Sequence, residues 1–342
     1  MLKFLWKYKL RLLGPLAFGY IVYRIDLEKL FACLRQAEIH VYLLALPLVW
    51  ISIFCKSLRW RQLIVGGPVR DSARKIEASF FQSFLVYFGA MFWGAATPGR
   101  VGELYKTKYV QEQGGSFGQA LASAVMDRLF DVAGLLLFAL LFFGRLVDRL
   151  TLDMRAVGVA ILVGFALLAG GGLLIAFPML LWPLGGTQHS EGSVNKKGGL
   201  LWKLGTAHAE IRRWRPTVWI FCLVSTCVAL APFLLQRYSI AIALDIHVDF
   251  VTYSAVIALS GLLCLLPITV QGIGTRDAVL VLCLGWEGVP PERALAVSSL
   301  ILMTMLINMT FGFIAFLASK GPPQHAGCVK AKDIPDASRQ LR

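Results

Sequence analysis

The sequence predicts an all-α polytopic membrane protein with about six full transmembrane helices, two oppositely oriented re-entrant hairpins and an inverted internal repeat. Composition is the first reason. Of the 342 residues, 57% are hydrophobic and only 16% charged, with a mean hydropathy of +0.67, whereas soluble domains carry about 25% charged residues. Run length is the second: Val41 to Phe54, Val132 to Phe143 and Ile301 to Leu317 approach or meet the ~20 apolar residues that a helix needs to cross ~30 Å of hydrocarbon. The third is that basic residues fall between the apolar runs, where Lys and Arg mark cytoplasmic loops. A β-barrel would alternate polar and apolar residues over ~10-residue strands, and that period is absent. These features exclude a soluble enzyme or soluble binding domain.

The elements follow in order from charge. Lys3, Lys7, Lys9 and Arg11 resemble a signal n-region, but no small-residue cleavage site follows, so Leu12 to Val22 reads as the core of a retained first helix. Basic loops at Lys56 to Lys75 (Lys56, Arg59, Arg61, Arg70, Arg74, Lys75), at Lys196 to Arg215 and after Lys320 are placed in the cytoplasm. The charge-balanced Arg24 to His40 and the acidic Arg237 to Phe250, with Asp245 and Asp249, are placed outside. Ala120 to Phe143 then runs outward and Val157 to Trp182 returns. Ser79 to Thr97 begins inside after Lys75 and must end inside, so it is expected to enter and return on one side. The same count puts Val251 to Pro267 and Ala278 to Trp286 into a hairpin entered from outside. Both termini are cytoplasmic in this scheme. One transmembrane domain fills residues 1–320, with half-repeats at roughly 41–145 and 217–318. Residues 321–342, rich in Pro and charge, form a disordered cytoplasmic tail.

The repeat appears at an offset of 174 residues, which superposes Ala120-Leu121-Ala122 on Ala294-Leu295-Ala296 and Glu103 on Asp277. It also sets Pro98 to Gly102 over Gly272 to Arg276. Inverted repeats with interrupted helices at corresponding positions point to a transporter's binding site, because non-helical backbone at membrane depth survives only where protein or water satisfies it. The first break reads Pro98-Gly99-Arg100-Val101-Gly102-Glu103 and the second Gly272-Ile273-Gly274-Thr275-Arg276-Asp277. Pro removes a donor and Gly permits positive φ. Either break can be a capped surface loop or an anion site, in which helix N-termini and Arg100 or Arg276 face a phosphate.

Ala120 to Phe143 contains Asp127, Arg128 and Asp131, with Ser116 and Gln119 expected to form a capping box at its start. From Asp131 to Arg145 is 14 residues, about 21 Å of helix, so Asp131 lies well below the far surface. Intramembrane charges cost ~2.5 to 3.5 kcal/mol each and tend to face a bundle interior. Arg128 and Asp131, three apart, can pair on one helical face. That pair either braces the bundle or lines a pathway.

The net charge of +14 implies no nucleic acid, since the basic residues occupy loops; attraction to anionic head groups, at ~1 kcal/mol per basic residue near the surface, fits it as well. Seven cysteines without C-x-x-C spacing read as core residues. His40, His189, His208, His247 and His325 are isolated, so no metal or other cofactor is expected. Gly114-Gly115-Ser116-Phe117-Gly118 fits G-x-S-x-G but lacks a preceding strand, so no catalytic residue is assigned.

Pro98-Gly99-Arg100-Val101-Gly102-Glu103, Arg128-Leu129-Phe130-Asp131 and Gly272-Ile273-Gly274-Thr275-Arg276-Asp277, preceded by Leu58-Arg59-Trp60-Arg61, resemble the membrane domain of lysylphosphatidylglycerol synthases and the stand-alone flippase-like UPF0104 proteins. The resemblance covers about residues 5 to 318. Asp277 stands where the family more often has Glu, and Leu302 and Met303 stand where an Arg is expected, a departure from symmetry between the halves. The resemblance implies a flippase-like protein of the bacterial cytoplasmic (inner) membrane that translocates an anionic phospholipid or a polyprenyl-phosphate-linked glycan, rather than an enzyme. The full synthases carry a further soluble catalytic domain, which is not expected here. The alternative is a non-transporting partner of a membrane glycosyltransferase or lipid synthase. The residues implied for substrate are Pro98, Gly99, Arg100, Gly102, Glu103, Arg128, Asp131, Gly272, Gly274, Arg276 and Asp277.

Overall fold

A computed structural model describes residues 27–66, 79–97, 102–146, 211, 214–264 and 272–319. Among these residues the chain is helical and contains no strand. The helices are α1 (Leu27–Gln36), α2 (Ile39–Val65), α3 (Phe80–Ala96), α4 (Tyr105–Glu112), α5 (Phe117–Leu146), α6 (Pro216–Ala243), α7 (Phe250–Leu263), α8 (Thr275–Trp286) and α9 (Pro291–Ala318). The expected spans at Leu12 to Val22 and Val157 to Trp182, and the tail at 321–342, lie outside the described residues.

Local chemistry sets the helix starts. Pro216 and Pro291 occupy the first positions of α6 and α9, where a missing N–H costs no helical hydrogen bond. The Asp249 carboxylate accepts the Thr252 N–H at 3.0 Å and caps α7. Ser116 Oγ accepts the Gln119 N–H at 3.0 Å and caps α5. The Gln119 amide does not close a capping box: it donates to the Ile64 carbonyl at 2.9 Å and ties the start of α5 to the end of α2.

Helices α2, α6 and α9, of 27, 28 and 28 residues, are long and apolar enough to cross a membrane. At ~1.5 Å per residue each extends about 40 Å. Helix α5 has 30 residues and carries the three central charges. Helices α3 and α7 are shorter and apolar.

Two expectations need correction. Lys56, Arg59 and Arg61 are not loop residues, because α2 runs on to Val65; counting charge at the end of an apolar run cannot tell a loop from a helix whose cations find buried partners. Ser79 to Thr97 does not reverse within itself, because α3 is one uninterrupted helix. The chain turns only after Ala96. Thr97 Oγ1 donates to the Trp93 carbonyl at 2.9 Å and accepts the Gly102 N–H at 2.7 Å, which folds Gly102 back onto the last turn of α3.

The long helices α2 and α6 pack along each other, α3 packs on α9, and α7 packs on α5. The α3–α9 contact needs glycine. A Cβ on Gly312 would lie 2.9 Å from the Phe88 carbonyl oxygen, and one on Gly89 would lie 3.1 Å from the Phe316 Cα. Small residues let membrane helices approach closely and gain dispersion where lipid supplies no hydrophobic drive. Outward-facing positions such as Leu44, Ile220, Val224 and Ile314 are exposed apolar side chains, as a lipid-facing surface requires.

Candidate functional site

The site begins with Arg59, placed in the C-terminal part of α2, and fully buried at 0% exposure. Its Nε and Nη2 donate to Asp127 Oδ1 at 2.9 and 2.7 Å, Nη2 also reaches Asp131 Oδ1 at 2.8 Å, and Nη1 donates to Thr226 Oγ1 at 2.9 Å. One guanidinium fork therefore joins α2, α5 and α6. The other Asp127 oxygen accepts from Lys106 Nζ at 2.6 Å, and the Lys106 ammonium lies 4.5 Å from the centre of the Tyr87 ring. Asp127 and Lys106 are 1% and 3% exposed. Buried carboxylates and cations are tolerated only when each is paired and hydrogen-bonded, and these three meet that condition.

The residues closer to the next cavity are partly accessible. Lys56 Nζ lies 3.2 Å from Asp131 Oδ1. Arg128 Nη1 lies 3.3 Å from Glu103 Oε1, whereas its distance to Asp131 Oδ2 is 4.0 Å, so the chief partner of Arg128 comes from the break before α4 rather than from its own helix. Arg128 Nη2 is buried without a hydrogen-bond partner among the described residues.

The second break is built differently. Gly272 and Gly274 have φ of +75° and +85°, a region open to glycine with little strain. The Gly274 N–H donates to Asp277 Oδ2 at 2.8 Å, which closes the first turn of α8 from within. Arg276 Nε donates to Ser298 Oγ of α9 at 2.9 Å, and its Nη2 lies 3.4 Å from Asp277 Oδ1. Asp277 also bonds Ser298, so Arg276 is held by a carboxylate and a hydroxyl.

These groups meet at a cavity of about 160 Å³. Lys56 and Arg128 enter its wall from α2 and α5, Arg237 and Arg276 from α6 and α8, and Asp131 is the carboxylate among them. Val132, Leu135, Leu230, Phe233, Ile257 and Ile301 supply the apolar wall. Thr226 and Ser260 add hydroxyls. A smaller cavity of about 30 Å³ shares Lys56, Arg128 and Asp131 with the first and reaches Glu103 and Lys106. A small polar chamber beside a larger, mostly apolar one suits an amphiphile with an anionic head.

The whole arrangement spans the chain from Lys56 to Ser298, and a match to the lysylphosphatidylglycerol synthase TM region covers residues 10–312. The chain belongs to that family. A UPF0104 membrane protein of Methanocaldococcus jannaschii is 24% identical over 311 residues, 86% of this chain and 90% of that relative. Another, of Pyrococcus horikoshii, is 26% identical over 141 residues, 40% of each chain. Membership makes this a membrane protein of a lipid-related family. Within that family's motifs, Arg128 and Asp131 from the R-x-x-D element and Arg276 from the Gly-rich break border one cavity. Glu103 borders the smaller one, Gly102 caps the end of α3, and Asp277 and Gly274 shape α8. Pro98, Gly99 and Arg100 lie outside the described residues. No group of three or more potential metal ligands occurs among the described residues.

The sequence pattern gives Asp127 no partner and offers no sign of the roles of Lys106 and Thr226. Helical spacing offered a signal for the buried cluster: Lys56 and Arg59 at i,i+3 complement Asp127 and Asp131 at i,i+4, the spacings that keep charges on one face. Arg237, expected in an outside loop, lies inside α6 with its guanidinium 5.2 Å from the Phe233 ring centre.

Proposed function

We propose that the chain moves a phosphate-bearing lipid, an anionic phospholipid or a polyprenyl-phosphate-linked glycan, between the leaflets of the bacterial cytoplasmic membrane, without covalent chemistry. The carrying observation is the cavity wall, on which Lys56, Arg128, Arg237 and Arg276 gather, with Asp131 the carboxylate among the described lining residues and Glu103 and Asp277 holding Arg128 and Arg276. Each charge costs ~2.5 to 3.5 kcal/mol at membrane depth, so four cationic side chains gathered on one cavity wall suit an anionic head group. A guanidinium fork offers a phosphate paired donors, and the apolar wall suits a lipid chain.

The architecture that goes with this reading has six full spans, two oppositely oriented re-entrant hairpins and both termini in the cytoplasm. Its support is the order long, short, short, long, repeated as α2 to α5 and α6 to α9. The offset of 174 residues also relates Phe117 to Pro291, the first residues of α5 and α9. The short helix α3 packs on the last long helix of the other half, and α7 does the same, as a two-fold relation between halves would produce. Binding sites at such repeat interfaces serve alternating access.

Reconstitution into liposomes with head-group-labelled phosphatidylglycerol and with a polyprenyl-phosphate sugar tests the proposal. Protein-dependent exposure of either label on the opposite leaflet, lost in Arg276→Gln protein verified as folded, is the expected result. Flux no greater than in protein-free liposomes for both lipids would overturn transport and leave the role of a partner to a membrane glycosyltransferase or lipid synthase.

A further inference from the structure

Resting on the anionic-lipid reading above, we infer that the two motif arginines on the cavity wall have different tasks: Arg128 contacts the lipid phosphate directly, exchanging its pairing with Glu103 for the phosphate, whereas Arg276 positions α8 against α9. Arg276 is built into the protein. It is 5% exposed, its Nε donates to Ser298 Oγ at 2.9 Å, and its Nη2 lies 3.4 Å from Asp277 Oδ1. Asp277 in turn bonds Ser298 and accepts the Gly274 N–H at 2.8 Å. Arginine, carboxylate, hydroxyl and backbone thus close one unit that ties the start of α8 to α9. Drawing the Arg276 fork toward a ligand would open that unit and strand buried polar groups, which is penalised.

Arg128 is held more loosely. Its Nη1 lies 3.3 and 3.4 Å from the Glu103 oxygens and 4.0 Å from Asp131 Oδ2, where charge-assisted N–H···O contacts usually measure about 2.7 to 2.9 Å. Arg59 reaches that range, at 2.7 to 2.9 Å from Asp127, Asp131 and Thr226. Arg128 Nη2 is buried without a hydrogen-bond partner among the described residues, so half of its fork is unused. A phosphate supplies the acceptor that Nη2 lacks, and a second phosphate oxygen takes Nη1 from Glu103 in a bidentate contact. Arg128 borders both cavities, with Lys56 and Asp131, whereas Arg276 borders the larger one. A phosphate on Arg128 therefore sits where the polar chamber meets the apolar wall, with Val132 and Leu135 one and two turns further along α5 to receive the lipid chain.

Phosphatidylglycerol and a polyprenyl-phosphoglucose are each matched with the neutral O-methyl phosphotriester of the same lipid, and equilibrium binding to the full-length protein is measured in maltoside micelles, which carry no phosphate. Wild type is expected to bind the anionic member of at least one pair about tenfold tighter or more, and the pair that shows the preference names the source of the phosphate. Arg128→Gln should shrink the preference to within about twofold, and Arg128→Lys, which keeps the charge without the fork, should lose most of it. Arg276→Gln, verified as folded, should keep most of the preference even as it loses flux. Glu103→Gln should tighten binding of the anionic lipid, and that gain should vanish in the Arg128→Lys background, a coupling that a bracing Arg128 would not produce. Survival of the preference in Arg128→Gln, or its collapse in Arg276→Gln, would overturn the division of tasks and leave the anionic-lipid reading standing. Equal binding within both pairs by wild type would remove both. Should Arg128→Gln fail to fold, Arg128→Lys decides, and a wild-type preference there overturns the inference.

Discussion

Arg59 and Lys106 share Asp127 between them: Arg59 takes Oδ1 at 2.7 Å and Lys106 takes Oδ2 at 2.6 Å. Neither oxygen is left to solvent, and three helices, α2, α4 and α5, are joined at one carboxylate. Removing one partner of a buried ion pair strands the other charge and costs about 3 to 5 kcal/mol. Asp127→Asn is therefore expected to lower the detergent melting temperature sharply, and Arg59→Lys to do so too, because an ammonium cannot reproduce the fork. Thermal unfolding followed by size-exclusion chromatography checks this; melting within a degree of wild type for Asp127→Asn would contradict the bracing role.

Asp131 should behave otherwise. It lies on the cavity wall and shares its charge with Lys56 and Arg59. Asp131→Asn is expected to cost less stability than Asp127→Asn and to lower lipid flux in the folded protein. Full flux in Asp131→Asn would place it with the bracing residues instead.

In the two halves, Glu103 and Asp277 contact the cavity arginines Arg128 and Arg276, and a carboxylate beside a phosphate is repulsive. Glu103→Gln should thus reduce flux less than Arg128→Gln, and Arg276→Lys should retain part of the flux that Arg276→Gln loses. Asp277→Asn carries an added stability cost of about 1 to 3 kcal/mol, because Asp277 also holds the Gly274 N–H and a buried donor left unpaired is penalised. Flux assays paired with melting curves separate the two effects.

Helix packing gives a prediction independent of transport. Gly312→Ala is expected to destabilise by about 1 to 3 kcal/mol through overpacking, since its methyl group would lie 2.9 Å from the Phe88 carbonyl oxygen. Gly285→Ala meets nothing within 4 Å and should be neutral or stabilising by up to about 1 kcal/mol. Equal melting temperatures for the two variants would refute the close α3–α9 contact.

Topology is checked by labelling. Lys108 and His247 side chains are 68% and 86% exposed. Lys108→Cys should react with an impermeant maleimide only from the cytoplasm, and His247→Cys only from outside. Reaction of both from one side would reverse part of the charge-based scheme.

Much of this was legible from residue order. The apolar runs located the long helices, and α5 and α9 begin at Phe117 and Pro291, 174 residues apart (291 − 117). What composition could not give was direction around the helix. Lys56 and Arg59 follow an apolar run and look like the start of a cytoplasmic loop, but their counter-charges lie some 70 residues later, at Asp127 and Asp131. Arg237 was hidden because α6 runs on to Ala243, past the point where an apolar count ends. Lys106 sits in a helix of low hydropathy whose polar look masks a buried face holding Tyr109 and Val110. Long-range pairing decides which charges are inside, and a single sequence shows spacing without pairing.

The exchange of short helices between halves also governs how the chain matures. Gly312 leaves the ribosome 223 residues after Gly89 (312 − 89), about 10 to 45 s later at about 5 to 20 residues per second. Through that interval the face of α3 that will receive α9 can meet only lipid or a chaperone. Neither half can complete its own packing, so assembly is committed only when the last helix inserts, and a chain cut short before α9 presents quality-control proteases with an open groove along α3.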